Sequence, residues 1–92
     1  NIHRFELKDE KGWMEKQVYL SMGFLLMGLA EMGLDSVPLE GFDPNALDAE
    51  FGLREQGYTS VGIVPIGHRA ETDGNASRPK SRLTEEEIFT IL

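Results

Sequence analysis

The most basic stretch of this acidic chain is Arg78-Pro79-Lys80-Ser81-Arg82. Pro79 restricts Arg78 to extended backbone. In an extended run Lys80 and Arg82 share one side, because side chains alternate along the chain. Two cations converging on one point suit a phosphate, with Arg supplying a planar fork and Lys a compact charge. On pattern alone a solvated basic loop is the plainer reading. A second stretch, Pro38-Leu39-Glu40-Gly41, reads as a turn with backbone N–H groups available at Glu40 and Gly41. Such donors can read the edge of a flat heterocycle without any side chain. Here too an ordinary loop between helices is the plainer reading.

Other chemistries find little support. The chain has no cysteine, so it offers no disulfide, thiolate metal site or cysteine nucleophile. A reducing cytoplasm is compatible with that, and a cytoplasmic location is expected. His3 and His68 have no metal-ligand spacing. There is no Gly-x-Ser-x-Gly elbow and no Gly-x-Gly-x-x-Gly loop. Asp35, Asp43, Asp48 and Glu50 read as caps and solvated faces, and Glu85 to Glu87 as a favourable negative first turn of a helix. No residue stands out as a nucleophile, general base or metal ligand. The formal net charge of -7 argues against general nucleic-acid binding, which needs a basic surface, and against an anionic membrane surface. A local basic pair can still hold a small anion on such a chain.

The elements that must position these residues come next. Residues 1–12 are polar, without a clear period, and read as the end of an earlier helix or a linker closed by Gly12. A helix is expected over 13–33, with Gly33 as its stop. Its second half is apolar almost all round, from Val18 to Met32, so it must be covered on nearly every side. Gly23 and Gly28 inside it imply close approach by another backbone. Residues 34–42 read as an extended segment and turn. Asp43-Pro44 then opens a short helix to Phe51, stopped by Gly52. The β-branched run 58–66 reads as a strand, with Gly62 marking a bulge or close packing and Pro65 its end or an edge. Residues 67–78 form a polar loop. After Leu83, Thr84 and Glu87 fit a capping box, while Ile88 to Leu92 fit a strand equally well.

A single strand cannot make a sheet, and so little material cannot hide an all-round apolar helix. The missing cover must come from further sequence, a partner subunit, or both. The chain opens Asn1-Ile2-His3-Arg4, without an initiator methionine or a signal-peptide pattern, and is read as continuing upstream. Its longest apolar run is too short to span a membrane.

Several stretches together resemble one family: Trp13-Met14-Glu15-Lys16-Gln17-Val18-Tyr19-Leu20, Gly33 through Asp43, Leu47 through Leu53, Gly57-Tyr58-Thr59-Ser60 and Pro79 through Leu83. They are similar, in order, to the C-terminal half of bacterial oxygen-insensitive NAD(P)H nitroreductases and the closely similar flavin reductases. The resemblance covers about residues 3 to 83. It implies an α+β fold with a mixed sheet packed by helices, and an intertwined homodimer with FMN at its interface. The 92 residues would then be the C-terminal part of a single domain whose N-terminal part is absent. It implies that Lys80, Ser81 and Arg82 hold the FMN phosphate and that Pro38, Leu39, Glu40 and Gly41 lie beside the isoalloxazine ring. The Glu40 N–H would face flavin N5 and the Gly41 N–H a ring carbonyl. The remaining FMN contacts would come from N-terminal family segments. The implied activity is hydride transfer from NAD(P)H, as co-substrate, through N5 to nitroaromatics, quinones or free flavin, with the 92 residues inactive alone. The family usually has proline after Ser-Arg-Leu, whereas Thr84 stands here, and its tail reaches over the partner subunit. The alternative is a non-catalytic acidic interaction module that docks through its apolar helix.

Overall fold

The computed structural model describes all 92 residues. A π-helical turn, Ile2–Glu6, precedes helix α1, Glu10–Glu31. The helix therefore starts three residues before the expected Trp13 and runs through Gly12. Gly12 costs a helix about 1 kcal/mol relative to alanine. Against that, Glu10 sits favourably in the first turn, and Trp13 N–H already bonds Asp9 O at 2.9 Å. The leading turn folds back on α1 rather than acting as a linker. Lys8 makes the reversal at φ 54. His3 Nδ1 meets Asp9 Oδ1 at 2.7 Å, the Arg4 guanidinium meets Glu10 at 2.6 and 3.0 Å, and His3 stacks on Trp13 with ring centres 5.0 Å apart.

The helix stops as its glycine predicts. Gly33 has φ 75. Its N–H bonds Ala30 O at 3.0 Å, and Leu34 N–H bonds Leu29 O at 2.9 Å. That pair of bonds is the Schellman ending, which needs the left-handed backbone glycine allows. The chain then enters β1, Asp35–Ser36, which pairs antiparallel with β2, Ile66–Gly67. Val37 N–H reaches Pro65 O at 3.3 Å, and Leu39 exchanges bonds of 2.8 and 2.9 Å with Ile63. The result is a two-stranded ribbon with gaps. Pro38 and Pro65 have no N–H to donate, so the ladder is broken at both.

The strand expected over 58–66 thus shrinks to the Ile63 bridge and the Ile66 end of β2. The reason is where its donors go. Tyr58 N–H bonds Leu53 O at 2.9 Å, and Ser60 N–H bonds the Asp48 carboxylate at 2.9 Å. A residue whose N–H is held by a neighbouring loop or side chain cannot offer it to a ladder. Close packing at Gly62 is borne out: a Cβ there would lie 2.7 Å from Met22 Cε. Gly23 and Gly28 differ, because nothing in this chain comes within 4 Å of a Cβ built on either.

Helix α2, Pro44–Glu50, follows its Asp43 cap, whose carboxylate accepts from Asn45 N–H at 2.9 Å and Ala46 N–H at 3.3 Å. Phe51 is the C-cap and Gly52 turns the chain at φ 60. A 3₁₀ turn, Arg54–Gln56, follows, and a second one, Gly74–Ser77, interrupts the polar loop. In the tail the helix wins over the strand. Glu87 Oε2 accepts Thr84 N–H at 2.9 Å and opens α3, Glu85–Ile88, after which Phe89 returns to extended backbone.

These elements make an α+β chain whose only sheet is the antiparallel ribbon; the mixed sheet that the resemblance implies is not formed within these residues. Leu29 and Asp48 are the only buried residues. The radius of gyration is 17.5 Å, against roughly 12 Å for a compact domain of this length. Phe24 is 81% exposed and Met27 73%, so the second half of α1 lies uncovered within this chain. No helix is long and apolar enough to cross a membrane.

Candidate functional site

The turn at Pro38–Gly41 hangs from the ribbon. Both backbone groups of Leu39 are engaged by Ile63. Phe42 N–H then bonds Glu40 O at 2.9 Å, a three-residue turn centred on Gly41. The N–H groups of Glu40 and Gly41 have no acceptor anywhere in the chain. A Cβ on Gly41 would meet nothing within 4 Å, so the backbone there is open to approach. Two adjacent, unengaged donors on a braced turn are the feature expected of an edge-reading site.

Helix α1 supplies the brace. The Tyr19 hydroxyl donates to Glu40 Oε1. That bond, followed by burial, holds the Tyr19 phenol above its ordinary pKa. One turn on, the Met22 methyl lies against Gly62, whose missing Cβ would also stand 3.5 Å from Leu39 O. Neither Tyr19 nor Met22 was singled out as part of a site. Only the fold shows that they lie over the turn.

The basic run is less organised. Arg78 is extended, with φ -69 and ψ 135, as Pro79 requires. Residues 79–84 belong to no regular element, and Lys80, Ser81 and Arg82 are exposed. Lys80 makes no ion pair, and Arg82 Nη1 donates only to Ser81 O at 3.0 Å. No hydrogen bond or ion pair joins the run to the turn at Pro38–Gly41. Ser81 and Arg82 border an open groove of about 520 Å³ with Leu83, Glu85, Ile88 and Phe89. Glu85 in that lining makes the groove alone a poor phosphate pocket, whereas the solvent side of Lys80 and Arg82 is unobstructed by any acidic partner.

Two carboxylates have other roles than expected. Asp48 is no solvated face but the most buried side chain, 1% exposed. It accepts Arg54 Nε at 2.5 Å and Ser60 N–H at 2.9 Å, tying α2 to the segment that leads into the ribbon. The neighbouring Ser60 side chain and then the Arg54 guanidinium hold its carboxyl below the usual range. The buried Ser60 hydroxyl comes close without meeting ordinary hydrogen-bond geometry. Asp35 closes the other end of the ribbon, accepting Arg69 N–H at 2.9 Å and Arg69 Nε at 3.0 Å. Those bonds bring its carboxyl down to about 2. No group of His, Asp and Glu is placed to hold a metal ion.

The site thus consists of a helix-braced turn with two free backbone donors, followed in the chain by a basic run, within an α+β chain. Comparison with known proteins makes that description specific. The nitroreductase family model matches residues 2–68. The chain is 58% identical over 90 residues to an oxygen-insensitive NAD(P)H nitroreductase of Salmonella typhimurium, covering 98% of this chain and 42% of that protein. It is 54% identical to one of Enterobacter cloacae, with the same coverage. It is 40% identical over 85 residues to the major NAD(P)H-flavin oxidoreductase of Aliivibrio fischeri, covering 91% of this chain and 39% of that protein. The chain belongs to the nitroreductase family. It spans about two fifths of the length of these relatives. The family model covers the Pro38–Gly41 turn and ends before the basic run. The 90-residue matches leave at most two residues out and therefore extend through that run.

Proposed function

We propose that this chain is the C-terminal part of an FMN-dependent oxidoreductase that moves electron pairs from NAD(P)H to nitroaromatics, quinones or free flavin. The observation that carries this reading is the pair of unengaged N–H groups at Glu40 and Gly41. They sit on a turn within the span that the nitroreductase model matches. The names of relatives support the same chemistry, since one is an NAD(P)H-flavin oxidoreductase.

The residues present fit FMN. Glu40 and Gly41 offer two adjacent donors with open space in front of Gly41, as the edge of an isoalloxazine ring requires. Lys80 and Arg82 offer two cations without acidic partners, as a phosphate requires. When bound, FMN supplies the redox chemistry, accepting hydride at N5 and releasing it to the acceptor. The protein holds and orients. Lys80 and Arg82, with Ser81 between them, anchor the phosphate end, and Pro38 and Leu39 set the turn that aims Glu40 and Gly41 at the ring. Backbone donors of this kind stabilise charge without reorganising as it develops. No covalent nucleophile is required for that role. The remaining ring contacts come, in this reading, from sequence outside these 92 residues and from a second subunit of a cytoplasmic homodimer. The uncovered apolar side of α1 supports that arrangement.

The test is Lys80→Ala with Arg82→Ala in the full-length protein. Each charge-assisted bond contributes roughly 1.5–3 kcal/mol, so FMN affinity should fall at least tenfold while the melting temperature of the apoprotein stays near wild type. A double variant that keeps stoichiometric flavin at wild-type affinity would remove the phosphate assignment. A wild-type protein that is colourless and never takes up FMN would favour the interaction module instead.

A further inference from the structure

Tyr19 and Glu40 lie 21 residues apart, on different elements, yet the phenol donates directly to the carboxylate. Tyr19 and Met22 are three residues apart on α1 and so share one face. That face touches both segments of the ribbon one step beyond the Leu39–Ile63 bridge, with Tyr19 on Glu40 and Met22 on Gly62, which face each other in the antiparallel register. On either side of Glu40 the backbone has little freedom, because both polar groups of Leu39 are engaged and Phe42 N–H is tied to Glu40 O. What remains free on the turn is the pair of N–H groups.

We infer that Tyr19 is a positioning residue: by donating to the Glu40 carboxylate it fixes the direction of the Glu40 and Gly41 backbone donors and offsets the negative charge beside them. The inference rests on the flavin reading above and deepens it. Glu40 carries a full charge on a residue whose own N–H is assigned to the ring. A carboxylate close to a ring that gains negative charge on reduction opposes that reduction, and a donor held on the carboxylate weakens the opposition. The other acidic group facing Tyr19 is Glu15, on the same helix, and it works against ionisation of the phenol, keeping it a donor.

The experiment uses the full-length holoprotein. In Tyr19→Phe the ring stays in place and one hydroxyl is lost. The expected result is a fall in the midpoint potential of bound FMN equivalent to about tenfold in its redox equilibrium, ~30 mV for a two-electron couple. A changed flavin absorption band should accompany it. FMN affinity, assigned mainly to Lys80 and Arg82, should stay near wild type. Glu40→Ala removes the same bond from the exposed partner, and in that background Tyr19→Phe should have no further effect, since interacting pairs are non-additive. A Tyr19→Phe holoprotein with wild-type potential and spectrum overturns the inference while leaving the flavin site standing. So does a shift that persists undiminished in Glu40→Ala. Failure of the wild-type protein to bind FMN overturns both together.

Discussion

Asp35 shows how much a single side chain can couple to its surroundings. Its carboxyl sits at about 2 because Arg69 donates from side chain and backbone to it. In the unfolded chain the same group titrates near its ordinary 3.8. A depressed folded-state pKa means stability that is complete above the unfolded value and lost as the pH falls through the folded one. The melting temperature of the full-length protein should therefore drop as the pH is lowered from about 4 towards 2. Asp35→Asn should be less stable at neutral pH and should flatten that part of the profile. Asp48 adds to the same acid sensitivity, since its carboxyl is also held low. Neither role was legible in the sequence. Arg69 lies 34 residues from Asp35, and Ser60 lies 12 from Asp48, and no local pattern links residues at such distances. Glu40 and Gly41 were singled out because a Pro-x-Glu-Gly string is itself a turn signal. The tyrosine that braces them carried no comparable mark.

Elements were legible where their signals were local. Asp43 with Pro44 opened α2, Gly33 closed α1, and Thr84 with Glu87 opened α3. Each of these signals works within about one turn of helix. The β-branched run 58–66 misled because strand propensity describes side chains, while a ladder needs free N–H groups. The Asp48 carboxylate and Leu53 carbonyl had taken those of Ser60 and Tyr58. The start of α1 was missed because Gly12 looked like a breaker, yet one glycine is a small cost in 22 residues. Gly33 is a different case, because its φ of 75 is one that an L side chain resists. Gly33→Ala should destabilise the full-length protein by about 1–2 kcal/mol. Chemical denaturation should show it as a lower midpoint with an unchanged slope.

As a whole the molecule has helices in place and no core to pack them on. Twenty-two large apolar side chains are exposed, most of those on α1 among them, far more than the scattered surface residues of an independent domain. The apolar run from Val18 to Met32 had already required cover from outside the chain. The prediction at this scale is that the isolated 92 residues will bind a hydrophobic dye, associate at micromolar concentration and melt without a sharp transition. They should also fail to retain FMN in dialysis. A cooperative melt from a monomer that excludes dye would show that the residues make a domain alone.

The two prolines of the ribbon have a consequence for how reliably its turn is presented. A plain hairpin can slip by two residues and keep every side chain on its face. Here such a slip in one of its two directions would bring Leu39 opposite Pro65, which cannot return the bond that Ile63 now gives. Pro65 thus opposes sliding in that direction, which would carry the free N–H groups of Glu40 and Gly41 out of register with the helix that braces them.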